Sequence, residues 1–172
     1  MKTVDDTPSS TDRIEKRVLL HAPRERVWRA VSDAQQFGTW FGVRFDGAFT
    51  AGRTLTGRIS PTQVDAAVAA MQKPYEGLPF AFHVERIEPM QRIAFRWHPY
   101  AVEAGIDYEK EPMTLIEFVL ADAEGGILLT ITESGFDRIP LARRARAFAA
   151  NEGGWEAQTR LVAQYLALPE QA

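Results

Sequence analysis

The stretch 140-PLARRARAFAANEGGWEAQTRLVAQYLAL-168 decides the fold of this chain. Its apolar side chains recur every seven residues at Leu141, Phe148, Trp155 and Val162, and the stripe is widened by Leu161, Tyr165, Leu166 and Leu168. This spacing predicts one long amphipathic helix. Because the helix follows a long series of strand-like segments, we expect its apolar face to lie on a curved sheet. A long helix across a curved sheet tends to leave a cavity between them, so we predict a pocket as well.

The composition is that of one globular domain. The chain has 172 residues, of which 45% are hydrophobic, enough for one well-buried core and too few for two. We expect this domain to cover residues 13–168, with a disordered polar tail at 1–12 and a short tail at 169–172. The absence of cysteine excludes thiolate metal sites, thiol catalysis and disulfide bonds, and it fits a reducing cytoplasm.

Charge and hydropathy argue against two classes of partner. A formal net charge of −3 gives no electrostatic footprint for nucleic acid. The basic group in the last helix, Arg143, Arg144 and Arg146, is interpreted as a solvated helix face. The N-terminus has no apolar signal core, and no apolar run is as long as a membrane span. We therefore predict a soluble cytoplasmic protein.

The remaining segments predict an α+β order of elements. A strand from Ile14 to His21 precedes two short helices, the first opened by Pro23 and the second in 33-DAQQFGTWF-41. Later strands are predicted at 43–45, 54–59, 79–87, 92–98, 113–120 and 127–134. A helical insertion at about 62–73 and a long loop at 99–112 interrupt them. This order indicates helices packed on one face of an antiparallel sheet.

Three segments carry a resemblance to a known family. They are 17-RVLLHAPRERVWRAVSDAQQFGTWF-41, 132-TESGFDRIP-140 and 151-NEGGWEAQTRLVAQYL-166. In this order they resemble the SRPBCC (START-like, helix-grip) superfamily, in the branch of the C-terminal domain of the activator of Hsp90 ATPase. Each segment alone is a weak signal, whereas the combination is specific, and the resemblance covers about residues 13–168.

The resemblance implies a strongly bent antiparallel sheet of about six or seven strands wrapped around the C-terminal helix. It also implies a hydrophobic cavity that opens near the two short helices and binds lipids or other small molecules. The insertion at about 62–73 and the loop at 99–112 are longer than the minimal helix-grip core. We expect both to modify the cavity entrance.

Alternation along the strands predicts which side chains face the cavity. The apolar sets are Phe80, Phe82 and Val84; Ile93, Phe95 and Trp97; Ile116, Phe118 and Leu120; and Leu129 and Ile131, which Glu133 follows. The residues predicted to contact a ligand are Trp40, Phe41, Phe45, Phe82, Phe95, Trp97, Phe118, Ile131, Glu133, Trp155 and Thr159. Glu117 is expected to point outward.

Polar residues beside the stripe of the last helix have two interpretations. Gln158 and Thr159 flank Trp155 at helical spacing, so they either orient a ligand or are satisfied by water or sheet carbonyls. Gly153 and Gly154 weaken a helix. We expect them to mark a close approach of the helix to the sheet, or a kink.

Two titratable residues are candidates for chemistry. Glu133 ends an apolar row, where a carboxylate with a raised pKa acts as an acid or pairs with a ligand. Its alternative is a solvated residue past the core edge, or one paired with arginine. His98 lies at a strand end beside the long loop, where imidazole can bind a ligand or shuttle a proton. Its alternative is an exposed residue without such a role.

Three functions compete. The leading hypothesis is a protein that binds a small hydrophobic or aromatic molecule, as a monomer or a homodimer. The second, which the resemblance implies because some helix-grip proteins are enzymes, is a cyclase- or hydrolase-like activity. It requires at least two ionisable side chains, for example Glu133 with His98 or Arg96, within reach of one point of the cavity. The third, from the resemblance alone, is a module that contacts the chaperone Hsp90. Common catalytic motifs are missing, and the spacing of the histidines predicts no metal or cofactor.

Overall fold

A computed structural model describes residues 11–169 as an antiparallel sheet with a long helix at the C-terminal end. The strands are β1 (Arg13–Leu20), β2 (Val43–Phe45), β3 (Thr54–Ile59), β4 (Pro79–Glu88), β5 (Arg92–Trp97), β6 (Thr114–Ala123) and β7 (Gly126–Ser134). The helices are α1 (Arg24–Ser32), α2 (Ala34–Phe41), α3 (Ala66–Gln72) and α4 (Leu141–Ala167), with single 3-10 turns at Lys73–Tyr75, Tyr108–Lys110 and Phe136–Arg138. The helix-grip α+β fold predicted from the sequence is confirmed.

The sheet brings the first and last strands together. Its order is β1-β7-β6-β5-β4-β3-β2, and all neighbouring strands are antiparallel. β1 pairs along its whole length with β7, from Arg13 opposite Ser134 to Leu20 opposite Ile127. Since β1 and β2 are the two edge strands, α1 and α2 carry the chain from one edge of the sheet to the other.

Two residues set the ends of the short helices. Asp33 separates α1 from α2, and its carboxylate accepts a hydrogen bond of 2.9 Å from the backbone N–H of Gln36. This is the usual N-cap contact of an aspartate. Gly42 ends α2 in the left-handed conformation with φ of 96°, which glycine adopts without steric cost. The turn at Gly42 leads directly into β2.

The helical insertion is shorter than predicted. α3 begins at Ala66 because Asp65 caps it, accepting from the backbone N–H of Val68 at 3.0 Å. None of its residues is fully buried, and Met71 is 74% exposed. The insertion is tied to the end of α2 through Gln72, whose side-chain amide donates to the carbonyl of Phe41 at 3.1 Å.

The core is dominated by aromatic rings. The ring of Phe37 lies within 4.9–6.1 Å of seven others, those of Trp40, Phe41, Phe45, Phe49, Phe82, Phe95 and Phe118. The inward faces predicted from alternation are confirmed, because their members are buried or packed against the buried core. Glu117 points outward as predicted, and its carboxylate lies 3.9 Å from the guanidinium of Arg92. Through the ring contacts of Phe37, the helix α2 fills much of the space over the sheet.

The predicted stripe of α4 is only partly correct. Trp155 and Val162 are buried, whereas Leu141 is 79% exposed and Leu168 is 49% exposed. The first turns of α4 pack against the loop at 99–112 through Arg143, so a different face of the helix is covered there. Leu168 lies just past the last helical residue, where the stripe has ended.

Two further expectations were wrong, and one lies largely outside the described residues. Gly153 and Gly154 are exposed, and a Cβ atom at either position would meet nothing within 4 Å, so the predicted close approach to the sheet is wrong, while the alternative of a kink stays a prediction. Arg143 is buried, in contrast to the predicted solvated face. The predicted tails fall mainly outside residues 11–169, but Asp12 is described and accepts a hydrogen bond from the backbone N–H of Asp137 at 3.0 Å.

Candidate functional site

Glu133 is the polar centre of the interior. It lies at the end of β7, is 0% exposed, and accepts hydrogen bonds from four side chains. Its Oε1 accepts from Trp155 Nε1 at 2.8 Å and from Asn151 Nδ2 at 2.9 Å. Its Oε2 accepts from Thr114 Oγ1 at 2.6 Å and from Trp97 Nε1 at 2.7 Å. Both alternatives, a solvated residue and an arginine-paired one, were therefore wrong.

Burial raises the pKa of Glu133 above its ordinary value, because the charged form loses its hydration. The hydrogen bonds from Thr114, Trp97, Trp155 and Asn151 act in the opposite direction, since they favour the carboxylate. Both oxygens already have two donors each, so the carboxylate has its hydrogen-bonding capacity filled by neutral groups.

Phe41, Trp97 and Trp155 form one group of rings beside this carboxylate, which we name the indole cluster. The ring centroids of the two tryptophans are 5.8 Å apart, and the ring of Phe41 lies 6.1 Å from Trp97 and 5.8 Å from Trp155. Phe41 and Trp97 are half-buried, whereas Trp155 is 3% exposed. The cluster thus joins the end of α2, the end of β5 and the middle of α4.

The other predicted ligand-contacting residues divide into two groups. Trp40, Phe82, Phe95, Phe118 and Ile131 are fully buried in the core. The indole of Trp40 donates to the carbonyl of Ala30 at 2.8 Å, so it ties α2 to α1. Phe45 is half-buried and contacts the rings of Phe37, Phe49 and Phe82, away from the indole cluster. Three of the buried rings nevertheless touch the indole cluster: Trp40 lies 5.7 Å from Phe41, Phe82 6.0 Å from Trp97, and Phe118 5.9 Å from Trp155.

Of the two polar residues beside the stripe of α4, Thr159 is satisfied within the protein and Gln158 only in part, because its Oε1 is buried without a hydrogen-bond partner. Gln158 Nε2 donates to the carbonyl of Phe41 at 3.0 Å, and Thr159 Oγ1 donates to the carbonyl of Glu156 at 2.7 Å. Gln158 therefore fixes the last residue of α2 against α4. Together with Gln72, it holds the backbone of Phe41 from two sides.

Two surface grooves lie away from the indole cluster. One, of about 600 Å³, runs between α2 and β2 and is lined by Val43, Phe45 and polar neighbours. The other, of about 620 Å³, lies beside Arg24 and Arg92. Neither is lined by a residue of α4. The space between the sheet and the middle of α4 is occupied by the rings of the indole cluster.

His98 belongs to a different environment from Glu133. It is half-buried, and burial lowers its pKa, while the negative charge of Glu111 acts to raise it. Its ring lies 6.4 Å from that of Tyr108, and it is absent from the hydrogen bonds of Glu133. Arg96 pairs with Glu85 at 2.9 Å. In the described part of the chain, neither His98 nor Arg96 shares a hydrogen bond with Glu133, and both flank Trp97, which does.

Arg143 holds the long loop against α4. Its guanidinium lies 2.6 Å from a carboxylate oxygen of Glu111, donates to the carbonyl of Pro99 at 3.0 Å, and stacks 4.9 Å from the ring centre of Tyr108. Arg146 adds a second contact, to Glu103 at 2.8 Å. Of the basic group in the sequence, Arg143 is therefore a buried clamp on residues 99–111, whereas Arg146 reaches the loop from an exposed position and Arg144 bonds to the carbonyl of Ile139.

Sequence reasoning missed two donors to Glu133. Thr114 shares the inward face of β6 with Ile116 and Phe118, so the period of two along a strand would have predicted that its side chain points into the interior. Asn151 precedes Trp155 by four residues, which puts both on one face of α4.

Within residues 11–169, no group of three or more histidine and acidic side chains is placed to hold a metal ion. No helix among these residues is both long and apolar enough to span a bilayer.

Solved structures of low sequence identity share this fold. A protein from Arthrobacter aurescens is 17% identical with a TM-score of 0.69, covering 92% of this chain and 88% of its own. The Aha1 dimer from Colwellia psychrerythraea is 17% identical with a TM-score of 0.64, covering 91% and 96%. DynU16, a protein in the dynemicin biosynthetic locus, is 24% identical with a TM-score of 0.62, and the match covers 90% of this chain but only 47% of DynU16.

No curated protein matches the chain at a significant level. A family model does match, that of the activator of Hsp90 ATPase homolog 1-like protein, over residues 21–167. This range includes α1, α2, the sheet from β2 to β7 and all of α4. The chain therefore belongs to the activator of Hsp90 ATPase homolog 1-like family, a branch of the SRPBCC superfamily.

Proposed function

We propose that this protein binds a small hydrophobic or aromatic molecule at the indole cluster, between the sheet and α4. The observation that carries the proposal is the pair of half-buried rings, Phe41 and Trp97, packed against the buried indole of Trp155. Rings of this kind, with a few fixed polar groups nearby, are what small-molecule sites use.

In this proposal the ligand takes the place that the ring of Phe41 holds in the ligand-free protein. Phe41 is the last residue of α2 and is followed by Gly42, so its side chain can turn outward without disturbing the helix before it. Its backbone would stay fixed by Gln72 and Gln158. A flat ligand would then rest on Trp97 and Trp155, in the edge-on arrangement that Phe41 now has.

Titration with naphthalene tests this proposal, with tryptophan fluorescence and the midpoint of thermal unfolding as readouts. We expect saturable binding by the wild type. Phe41→Ala should bind several-fold more tightly, because it vacates the space that the ligand must otherwise open.

The matched control is Phe148→Ala. Phe148 is also half-buried, and the ring it contacts is that of Phe136, at 5.2 Å. This variant opens a similar volume about 10 Å along α4 from Trp155, given the helical rise per residue. Its affinity for naphthalene should equal that of the wild type. Absence of saturable binding by both the wild type and Phe41→Ala would overturn the proposal.

Contact with Hsp90 is a second candidate function, and the family match favours it. A pull-down of the host's Hsp90 with this protein, read against an unrelated domain of similar charge, tests it. Failure of specific capture would exclude this role. The cytoplasmic location stays a prediction, and light scattering would decide between the predicted monomer and a homodimer like that of the Colwellia protein.

A further inference from the structure

The carboxyl group of Glu133 has no cationic side chain bonded to it among the described residues. Among residues 11–169, the ion pairs do not include Glu133, and its four hydrogen-bond donors are all neutral. Removing a carboxylate from water costs several kcal/mol, which neutral donors offset only in part. A positive charge brought close to this carboxylate would therefore be stabilised.

Both indoles that donate to Glu133 also contact the ring of Phe41. Trp97 donates to Oε2 of Glu133 and Trp155 donates to Oε1, at 2.7 and 2.8 Å. An indole that donates its N–H to an anion becomes richer in electrons, so the faces of its ring attract cations more strongly. The two ring planes are inclined by 33°, and Phe41 contacts both rings. Cation–π attraction is strongest for tryptophan and increases when the site is desolvated.

We propose that the ligand of the indole cluster is an organic cation, a flat aromatic or quaternary ammonium, for which Glu133 supplies the countercharge through Trp97 and Trp155. This inference rests on the function proposed above and names the class of ligand. It assigns Glu133 the role of a specificity-determining residue that does not touch the ligand.

Two probes of nearly equal shape separate the effect of ligand charge on affinity from the effect of ligand shape. N-methylquinolinium carries a permanent positive charge, whereas 1-methylnaphthalene has the same two fused rings and none. Equilibrium dialysis at pH 8 measures the affinity of each for the wild-type protein. We expect the cation to bind about tenfold more tightly, as cation–π energies of about 1–2 kcal/mol imply.

Charge-removing variants identify the source of the preference. Glu133→Gln should reduce the tenfold ratio to nearly one, because it removes the charge behind the indoles. Glu117→Gln is the matched control: it removes the same charge from the outward face of β6, so the ratio should not change. Circular dichroism of each variant establishes that it is folded.

The wild type alone provides an independent readout. The charge of N-methylquinolinium does not change with pH, so the ratio should fall on acidification as Glu133 binds a proton. Side chains of β5, β6 and α4 that face Glu133, namely Trp97, Thr114, Asn151 and Trp155, do not titrate, and the residues opposite it on β1 and β6 are Ile14 and Ile116.

The outcomes distinguish the two proposals. Equal affinities of the two probes at pH 8, or a preference that survives in folded Glu133→Gln, would overturn the cation inference and leave the binding function standing. Failure of both probes to bind would overturn the binding function itself. Should Glu133→Gln not fold, a ratio in the wild type that stays constant with pH overturns the inference in its place.

Discussion

The indole Nε1 of Trp155 donates a hydrogen bond of 2.8 Å to Oε1 of Glu133, and this contact joins the middle of α4 to the end of β7. Both residues are buried: Trp155 is 3% exposed and Glu133 is 0% exposed. The contact combines a large apolar ring with a charged acceptor in the interior. It links the helix that covers the sheet to the carboxylate that organises the interior.

Removal of the Glu133 side chain should destabilise the protein strongly. Glu133→Ala leaves four donors without their acceptor, two of them buried and two part-buried, and each buried unsatisfied group costs about 1–3 kcal/mol before water or neighbouring groups compensate. We expect the free energy of unfolding to fall by about 3 kcal/mol or more, measured by urea denaturation. Glu117→Ala, on the outward face, should change it by less than about 1 kcal/mol. Equal effects of the two variants would contradict this account of Glu133.

The contribution of the Glu133 side chain to the free energy of unfolding should decrease as the pH rises. Burial raises its pKa in the folded state, so the folded protein holds a proton that the unfolded chain has already released. The free energy of unfolding of the wild type, measured relative to that of Glu133→Gln, is therefore highest below the ordinary glutamate pKa. It should decrease as the pH rises through the raised value, and then become constant. Urea denaturation over a pH series measures this difference. A difference that grows with pH would mean that the hydrogen bonds lower the pKa of Glu133 by more than burial raises it.

The loop at 99–112 should depend on Arg143. Arg143→Met leaves the carboxylate of Glu111 largely buried without its cation, which costs about 3–5 kcal/mol for a buried pair. We also expect faster chymotrypsin cleavage at Tyr100 and Tyr108, because the loop loses its attachment to α4.

Arg146→Met is the control for the loop, since the side chain of Arg146 is 58% exposed. Its free energy of unfolding should change by less than about 1 kcal/mol. Cleavage at wild-type rates in Arg143→Met would show that the loop is held by other contacts.

Alanine at either exposed glycine of α4 should stabilise the protein. A Cβ atom at Gly153 or Gly154 meets nothing within 4 Å, and alanine is favoured over glycine in a helix by about 0.5–1 kcal/mol. Each variant should raise the midpoint of thermal unfolding. Gly38→Ala provides the contrast, since its Cβ would clash with the carbonyl oxygen of Val43 and should lower stability. A loss of stability at Gly153 or Gly154 would indicate a role that packing does not explain.

Local patterns predicted most of the fold because they report which face of an element is buried. Alternation placed Phe82, Phe95 and Phe118 in the core, and it also placed Glu133 on an inward face. It could not supply the partners of Glu133, because Trp97, Thr114 and Asn151 come from three separate segments. The seven-residue repeat failed at Leu141, where a loop rather than the sheet covers α4.

The sequence by itself determined the order of strands and helices, their inward faces and the family. Each of these follows from the period of the backbone, 2 residues in a strand and 3.6 in a helix, or from local motifs. Only the tertiary structure decided that Arg143 clamps the loop, that Gly153 and Gly154 face open space, and that two indoles converge on one carboxylate. These relationships depend on side chains that are distant along the chain, and their distances are set by how the sheet and α4 pack, which no local period encodes.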